Sequence, residues 1–319
     1  MRTVQFCFRV DAYDHRNALC IDFDQRDANP TELFAAVLNA HHQAPPLVLL
    51  HGLLSTPREF GLIALPLRNR GVELITPHID GYGLGARGRR STWRDWLAAA
   101  SAAIAQAAPS RPVVLGGLCA GGLLAAALAL DAPHAVAGLV LMSATFDFDG
   151  WGQTRWRHLR RAGYALGLDR WIRVAERDPF GVKNPKIRAW VAREMRERGG
   201  SAAGASTLPL WAIREVDRLK DHVAAGLHRL TPRTLMLHAR DDEVCTLASA
   251  QRSLRTLAAA DKRLVVLDDS YHMITIDNDR GRVADELLRF PAAAPPGARP
   301  AERSRGPSTA HPEAACPAH

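Results

Sequence analysis

One stretch constrains the fold of this 319-residue chain more than any other, Val113-Val114-Leu115-Gly116-Gly117-Leu118-Cys119-Ala120-Gly121-Gly122. Apolar residues suited to a strand run into G-x-C-x-G, and the Ala- and Leu-rich residues from Ala120 to Leu130 then suit a helix. A strand that turns into a helix this sharply holds its corner residue, Cys119, in a strained backbone conformation. Gly117 and Gly121 flank the corner because side chains there would collide with the neighbouring strand or helix. A strand feeding a helix in this way is the building unit of an α/β chain.

The surrounding sequence repeats that alternation. Strands are expected at Leu47–Leu50, Val72–Thr76, Val113–Gly116, Gly138–Met142, Thr234–His238 and Arg263–Leu267, with helices near Arg58–Arg70, Thr92–Ala108, Ala120–Leu130, Leu247–Ala259 and Arg280–Phe290. Near-continuous apolar strands separated by helices predict an α/β fold with a mostly parallel central sheet covered on both faces. The alternation fails between Asp147 and Arg233, a stretch that reads as helical throughout and predicts an inserted helical cap. The N-terminal part suggests strands at Val4–Val10 and Ala18–Asp24 and a helix at Pro30–His41. The expected organisation is an extension packed on the core (1–45), a first core part (46–146), a cap or lid (147–232), a second core part (233–291) and a disordered Pro- and Ala-rich tail (292–319).

With 47% apolar and 23% charged residues, the chain has ample material for a core without disulfides. Its five cysteines are scattered with no C-x-x-C spacing, which argues against a disulfide framework or a zinc site. Charges at Arg2, Arg9 and Asp11 leave no room for a signal-peptide core, and Leu123–Leu130 is too short to cross a bilayer. A cytoplasmic location is expected, with thiols kept reduced. Net charge is +8, and residues 151–200 alone carry thirteen Arg or Lys against five Asp or Glu. No nucleic-acid-binding module accompanies that surplus. It reads as a solvated helical face, or as a basic surface that attracts an acidic partner or substrate.

Cys119 falls at a helix N-terminus, where unpaired amides and the positive end of the dipole favour a thiolate. The Ala120 N–H there suits a developing oxyanion. Three more segments bear on the chemistry. His51-Gly52-Leu53 closes the first long apolar strand and offers the Leu53 N–H as a second oxyanion donor, while His51 itself reads as structural. Asp242, with Asp241 as understudy, follows the strand Leu235–His238 in an acidic loop. His272 follows the next strand. Nucleophile, acid and base in that order, each just past a strand, spell a Cys119–His272–Asp242 triad on a nucleophile elbow. No histidine pair has metal-ligand spacing, Gly81-Tyr82-Gly83-Leu84-Gly85 is not followed by the helix a phosphate loop needs, and nothing calls for a cofactor.

These segments, LLHGLLSTPREF, TPHIDGYGLG, the elbow, HARDDEV and DDSYHMITID, resemble the α/β-hydrolase superfamily. Within it they resemble the bacterial carboxylesterase and monoacylglycerol-lipase-like group, also called serine-aminopeptidase-like hydrolases. PFGVKNPKIRAWV and LPLWAIREVDRLKDHV in the cap look like the same group, and the resemblance runs from Pro46 to Phe290. It implies hydrolysis of carboxylic esters of short or medium acyl chains, no cofactor and a lid over an apolar pocket. SYHMIT resembles the segment that carries the base in those esterases, and ARDDE resembles their acid loop. The departure is Cys119 in place of serine. Cysteine elbows also occur in dienelactone hydrolases and polyhydroxyalkanoate synthases, which the rest of the chain resembles less closely.

A cysteine elbow predicts an acyl-cysteine intermediate, and a thioester is open to amines, alcohols and thiols as well as water. Three functions are therefore carried forward. The first is hydrolysis of a small-molecule ester or thioester, and the second is acyl transfer or thioester cleavage with coenzyme A or an acidic acyl carrier protein at the basic cap. The third is a non-catalytic binding protein that retains the fold.

Overall fold

The computed structural model describes residues 3–9, 18–24, 44–86, 90–153 and 159–292. In chain order the elements open with β1 (Thr3–Arg9) and β2 (Ala18–Asp24), an antiparallel pair in register from Thr3–Asp24 to Arg9–Ala18. There follow β3 (Leu47–Leu50), α1 (Gly61–Asn69), β4 (Leu74–Ile75), α2 (Trp93–Ala107), β5 (Val113–Leu118), α3 (Ala120–Asp131) and β6 (Val136–Met142). Next come α4 (Arg160–Ala165), β7 (Arg173–Ala175), α5 (Pro185–Arg198), β8 (Gly200–Ser201), β9 (Gly204–Ala205), β10 (Thr207–Pro209) and α6 (Leu210–Gly226). The chain returns with β11 (Thr234–Ala239), α7 (Leu247–Thr256), β12 (Lys262–Leu267) and α8 (Arg280–Ala292). The expected helix at Pro30–His41 and the expected tail lie outside the described residues.

Six strands form one wholly parallel sheet in the order β12-β11-β6-β5-β3-β4. After β3 the chain adds β4 on one side, then crosses back to place β5 on the other, and every later strand extends that side. The reversal between β3 and β5 makes the crevice at their carboxyl ends the expected position for a ligand. Alternation along the strands divides the core: Val48, Leu50 and Leu115 pack with α2, α3 and α6, whereas Leu47, Leu49 and Val114 pack with α1, α5 and α8. Helix α3 is apolar on all sides, with Ala120 to Ala127 buried throughout, as suits a helix wedged between the sheet and α6.

Several helix starts are written locally. Thr92 accepts the Asp95 amide while Asp95 returns a bond to the Thr92 N–H, a capping box that starts α2. Asn184 caps α5 ahead of Pro185, and Gly199 ends it in the left-handed region at φ 67°.

Two expectations need correction. The segment between Asp147 and Arg233 is not helical throughout, because β7 pairs with β10 and β8 with β9 in short antiparallel ribbons. Strands of two or three residues carry no alternation for a sequence to reveal. β5 also runs past Gly116 to Leu118. Its glycines are strand residues packed too tightly for side chains, since a Cβ on Gly116 would lie 2.8 Å from Val140 Cβ.

Candidate active site

The register of β3 on β5 sets Leu50 beside Gly117, so the loops leaving the two strands emerge together. Cys119 makes the corner between β5 and α3 with φ 57° and ψ −125°, a region that residues other than glycine rarely occupy. The flanking glycines permit it. A Cβ on Gly117 would overlap the Gly121 carbonyl and reach 2.7 Å from Leu50 O, and one on Gly121 would come within 2.5 Å of His51 O. The Cys119 N–H donates to Met142 O at 3.0 Å and ties the corner to β6.

Asp242 and His272 come from the loops after β11 and β12. His272 Nδ1–H donates to both Asp242 oxygens, at 3.0 Å and 2.9 Å. Asp242 Oδ1 also accepts the amides of Val244 at 2.8 Å and Cys245 at 3.0 Å. Burial opposes its charge, but the His272 charge and hydrogen bond, His238 and the Cys245 amide together hold the carboxyl below its ordinary range. Asp241 is half exposed, with its Oδ2 3.7 Å from Lys183 Nζ.

His272 Nε2 is buried with no geometric hydrogen-bond partner among the described residues, and His272 and Cys119 lie close enough to interact electrostatically. For the thiol, burial pushes the pKa up, yet the His272 charge, hydrogen bonds with His272 and Thr145 and the Ala120 amide bring it below the ordinary value. For His272, burial works against the proton, and the charges of Asp242 and Cys119 overturn that, lifting its pKa well above the usual.

Gly52 packs against the corner, so that a Cβ there would lie 3.5 Å from Cys119 Cβ. Around it Gly52 N–H donates to Glu59 Oε1 at 2.8 Å, Leu54 N–H to Tyr82 O at 3.0 Å and Ser55 N–H to Gly52 O at 3.2 Å. The Leu53 N–H has no acceptor among the described residues. The Ala120 N–H, at the first residue of α3, is one that the helix cannot pair. His51 has both nitrogens committed: Nδ1–H donates to Gly52 O at 2.9 Å and Nε2 accepts the Ile79 amide at 3.3 Å. Burial pushes its pKa down to about 4.

Four polar side chains here had no role in the sequence reading. Thr145 Oγ1 lies 3.3 Å from Cys119 Sγ. Glu59 is buried behind the Gly52 turn, and burial pushes its carboxyl up to about 8. Glu243 Oε2 accepts the His272 amide at 3.1 Å, and burial raises its pKa to about 7. Asp277 accepts the Lys183, Asn184, Tyr271 and Asn278 amides at 2.6, 2.8, 2.9 and 3.0 Å, pinning the histidine loop to the chain before α5. Glu59, Glu243 and Asp277 stand in quoted motifs, which was the available signal, whereas Thr145 stands in none.

The Gly81–Gly85 run is a turn behind this loop, with Tyr82 stacked on His51 and Leu84 N–H donating to Ser55 O at 2.9 Å. A surface cavity of about 330 Å³ between Tyr164, Arg214 and Asp217 has no triad residue in its lining. Among the described residues no group of His, Cys, Asp or Glu is arranged to hold a metal ion, and no helix is long and apolar enough to cross a membrane.

Compared with known proteins, the chain is similar to a thermostable monoacylglycerol lipase of Bacillus sp. (strain H-257), at 23% identity over 248 residues, covering 76% of this chain and 89% of that protein. Its fold is similar to a structure from the metagenome-derived lipolytic enzymes LipS and LipT, with TM-score 0.64 and 21% identity over 78% of this chain and 94% of that one. It is also similar to the monoacylglycerol lipase of Paleococcus ferrophilus, with TM-score 0.62 and 17% identity over 78% and 95% of the two chains. Residues 42–279 match the serine aminopeptidase, S33 family (Hydrolase_4). The chain, a lipase- and esterase-like α/β-hydrolase, belongs to that family.

Proposed function

We propose that this chain hydrolyses carboxylic esters of acyl substrates through an acyl-cysteine, with Cys119 as nucleophile, His272 as acid and base, and Asp242 as the group that orients and charges the imidazole. The observation that carries the reading is the strained Cys119 corner facing a histidine held at 2.9 Å by a buried carboxylate. The similarity to monoacylglycerol lipases supports a small lipid ester as substrate.

The Cys119 thiolate attacks the acyl carbonyl carbon, and the resulting oxyanion lies between the Leu53 and Ala120 amides. Losing one such donor typically costs about 3 kcal/mol of transition-state stabilisation. His272 Nε2 gives its proton to the departing alkoxide as the carbon–oxygen bond breaks, leaving a thioester on Cys119. A water then attacks that thioester while His272 takes its proton. The carbon–sulfur bond breaks, the acid leaves, and the thiolate–imidazolium pair is restored.

Residues 147–232 serve in this reading as the lid over the acyl pocket, between core parts 46–146 and 233–291, with 1–45 as an extension and 292–319 as a tail. A catalytic thiol works where it stays reduced, which supports a cytoplasmic reading. The lowered thiol pKa favours thioester cleavage or acyl transfer as a second reading, because a thiolate exchanges readily with thioesters.

Intact-mass measurement after incubation with p-nitrophenyl esters and acyl thioesters of short, medium and long chains tests both readings. The expected result is one acyl adduct on Cys119, absent in C119A and discharged by water. Undiminished turnover by C119A would refute the nucleophile. Discharge only by an added thiol or amine would establish the transferase reading instead.

A further inference from the structure

Three consecutive amides around His272 are taken by three different parts of the chain. Tyr271 N–H donates to Asp277 Oδ2 at 2.9 Å, His272 N–H to Glu243 Oε2 at 3.1 Å and Met273 N–H to Gly181 O at 2.8 Å. The first acceptor lies in the histidine's own loop, and the third in the chain before α5. The second belongs to the residue after Asp242, whose carboxylate holds the ring of the same histidine. Two adjacent carboxyl groups therefore grip His272, one by its side chain and the other by its backbone.

Glu243 is enclosed by the segments around it. It is 8% exposed. A Cβ on Gly181, which has φ 74°, would lie 3.2 Å from Glu243 Oε1 and 2.6 Å from Met273 Cγ. A Cβ on Gly152 would lie 2.9 Å from Glu243 Cβ, and Glu243 O accepts the Gly152 amide at 3.0 Å. Among the described residues no lysine or arginine is within ion-pair reach of this carboxyl. A buried carboxyl with no cation beside it weakens a fold. What this one gains in return is the His272 amide.

We propose that Glu243 is a positioning residue for His272, the acceptor that fixes the backbone from which the ring is presented to Asp242 and Cys119. The Asp242 bonds alone leave one freedom open. An imidazole held only at Nδ1 can pivot there and carry Nε2 sideways, and a second hold on the amide of the same residue removes that pivot. Displacements of this kind are costly to a proton transfer. The role differs from that of Asp277, which gathers the amides of Lys183, Asn184, Tyr271 and Asn278 and leaves that of His272 to Glu243. Its effect on turnover rests on the acyl-cysteine reading, whereas its effect on the Cys119 thiol needs no substrate.

Two variants test the role. E243Q keeps an acceptor oxygen, E243M keeps the length and removes it, and both lack the charge, so their difference reads the hydrogen bond alone. With a p-nitrophenyl ester, E243M should lose at least about 30-fold in kcat with KM held within about 2-fold. E243Q should stay within about 3-fold of wild type in both. Without substrate, the pH inflection of Cys119 labelling by iodoacetamide should rise by about one unit in E243M and stay in place in E243Q. Circular dichroism shows the folded fraction of each variant at the assay temperature. Should E243M not fold, E243D carries the test, because aspartate is one methylene too short to reach the amide and should show the same losses. Equal kcat and equal labelling in E243M and E243Q, or losses that only follow the folded fraction, would overturn the proposal. So would an unmoved inflection in E243M beside normal turnover by the wild type. A wild type without esterase turnover, together with a moved inflection in E243M, would sink the acyl-cysteine reading and uphold the positioning role.

Discussion

Glu59 accepts the amide hydrogen of Gly52 at 2.8 Å, and that bond fixes the turn that packs Gly52 against Cys119. Burial lifts the Glu59 carboxyl from 4.5 to about 8, so it keeps its proton in the folded protein where the unfolded chain has lost it. The folded state then binds more protons than the unfolded state between those two values, and stability falls as pH rises through that window. E59Q cannot ionise. Relative to wild type, it should gain roughly 4 kcal/mol between about pH 4.5 and pH 8. Urea unfolding of both proteins at each end of the window measures this, and parallel pH dependence would refute it.

The two free thiols of the core should react very differently. Cys119 is held below the ordinary thiol range, while burial pushes Cys245 up to about 12. Iodoacetamide near neutral pH should label Cys119 at least about 100-fold faster. D242N should lower the His272 pKa, deprive the thiolate of its counter-ion and move the labelling inflection to higher pH. Peptide mass spectrometry across a pH series shows both effects, and an unmoved inflection in D242N would dissolve the coupling of the three residues.

Thr145 contributes a hydroxyl 3.3 Å from the Cys119 sulfur. T145V keeps the shape and removes that contact, so both labelling rate and kcat should fall about 3- to 10-fold with KM unchanged, the loss of one hydrogen bond of ordinary strength. Steady-state kinetics on a soluble ester separates this from a packing defect, which would lower the unfolding temperature and leave the thiol pKa in place.

Asp277 supports His272 without touching it, by collecting four amides on one carboxylate. D277A strands those donors in a buried site and should lower stability by roughly 3 kcal/mol. Activity should fall further than stability alone explains, because the His272 loop loses its anchor. Thermal unfolding and kcat together test this, and an active, destabilised D277A would assign Asp277 to stability alone.

The sequence announced Cys119, Asp242 and His272 because each stands just beyond an apolar strand in a recognisable string. Parallel pairing then gathers all strand ends at one edge of the sheet. The glycines were legible for the same reason, since only a close backbone crossing requires them. Glu59, Thr145, Glu243 and Asp277 were not legible as functional residues. A glutamate in PREF or an aspartate in TID looks like a solvated loop residue, and its burial is decided by elements far away in the chain. The ribbons of the cap escaped notice for a third reason: strands as short as Gly200–Ser201 have no period.

The first turn of the cap is not free to swing. Gly150 and Gly152 amides donate to Val244 and Glu243 carbonyls, both at 3.0 Å, and a methyl group on Gly150 would strike the Glu243 backbone. A door mounted on these residues would have its hinge pin set in the loop that holds His272. If residues 147–232 do open for an acyl chain, the pivot must lie farther along than this corner.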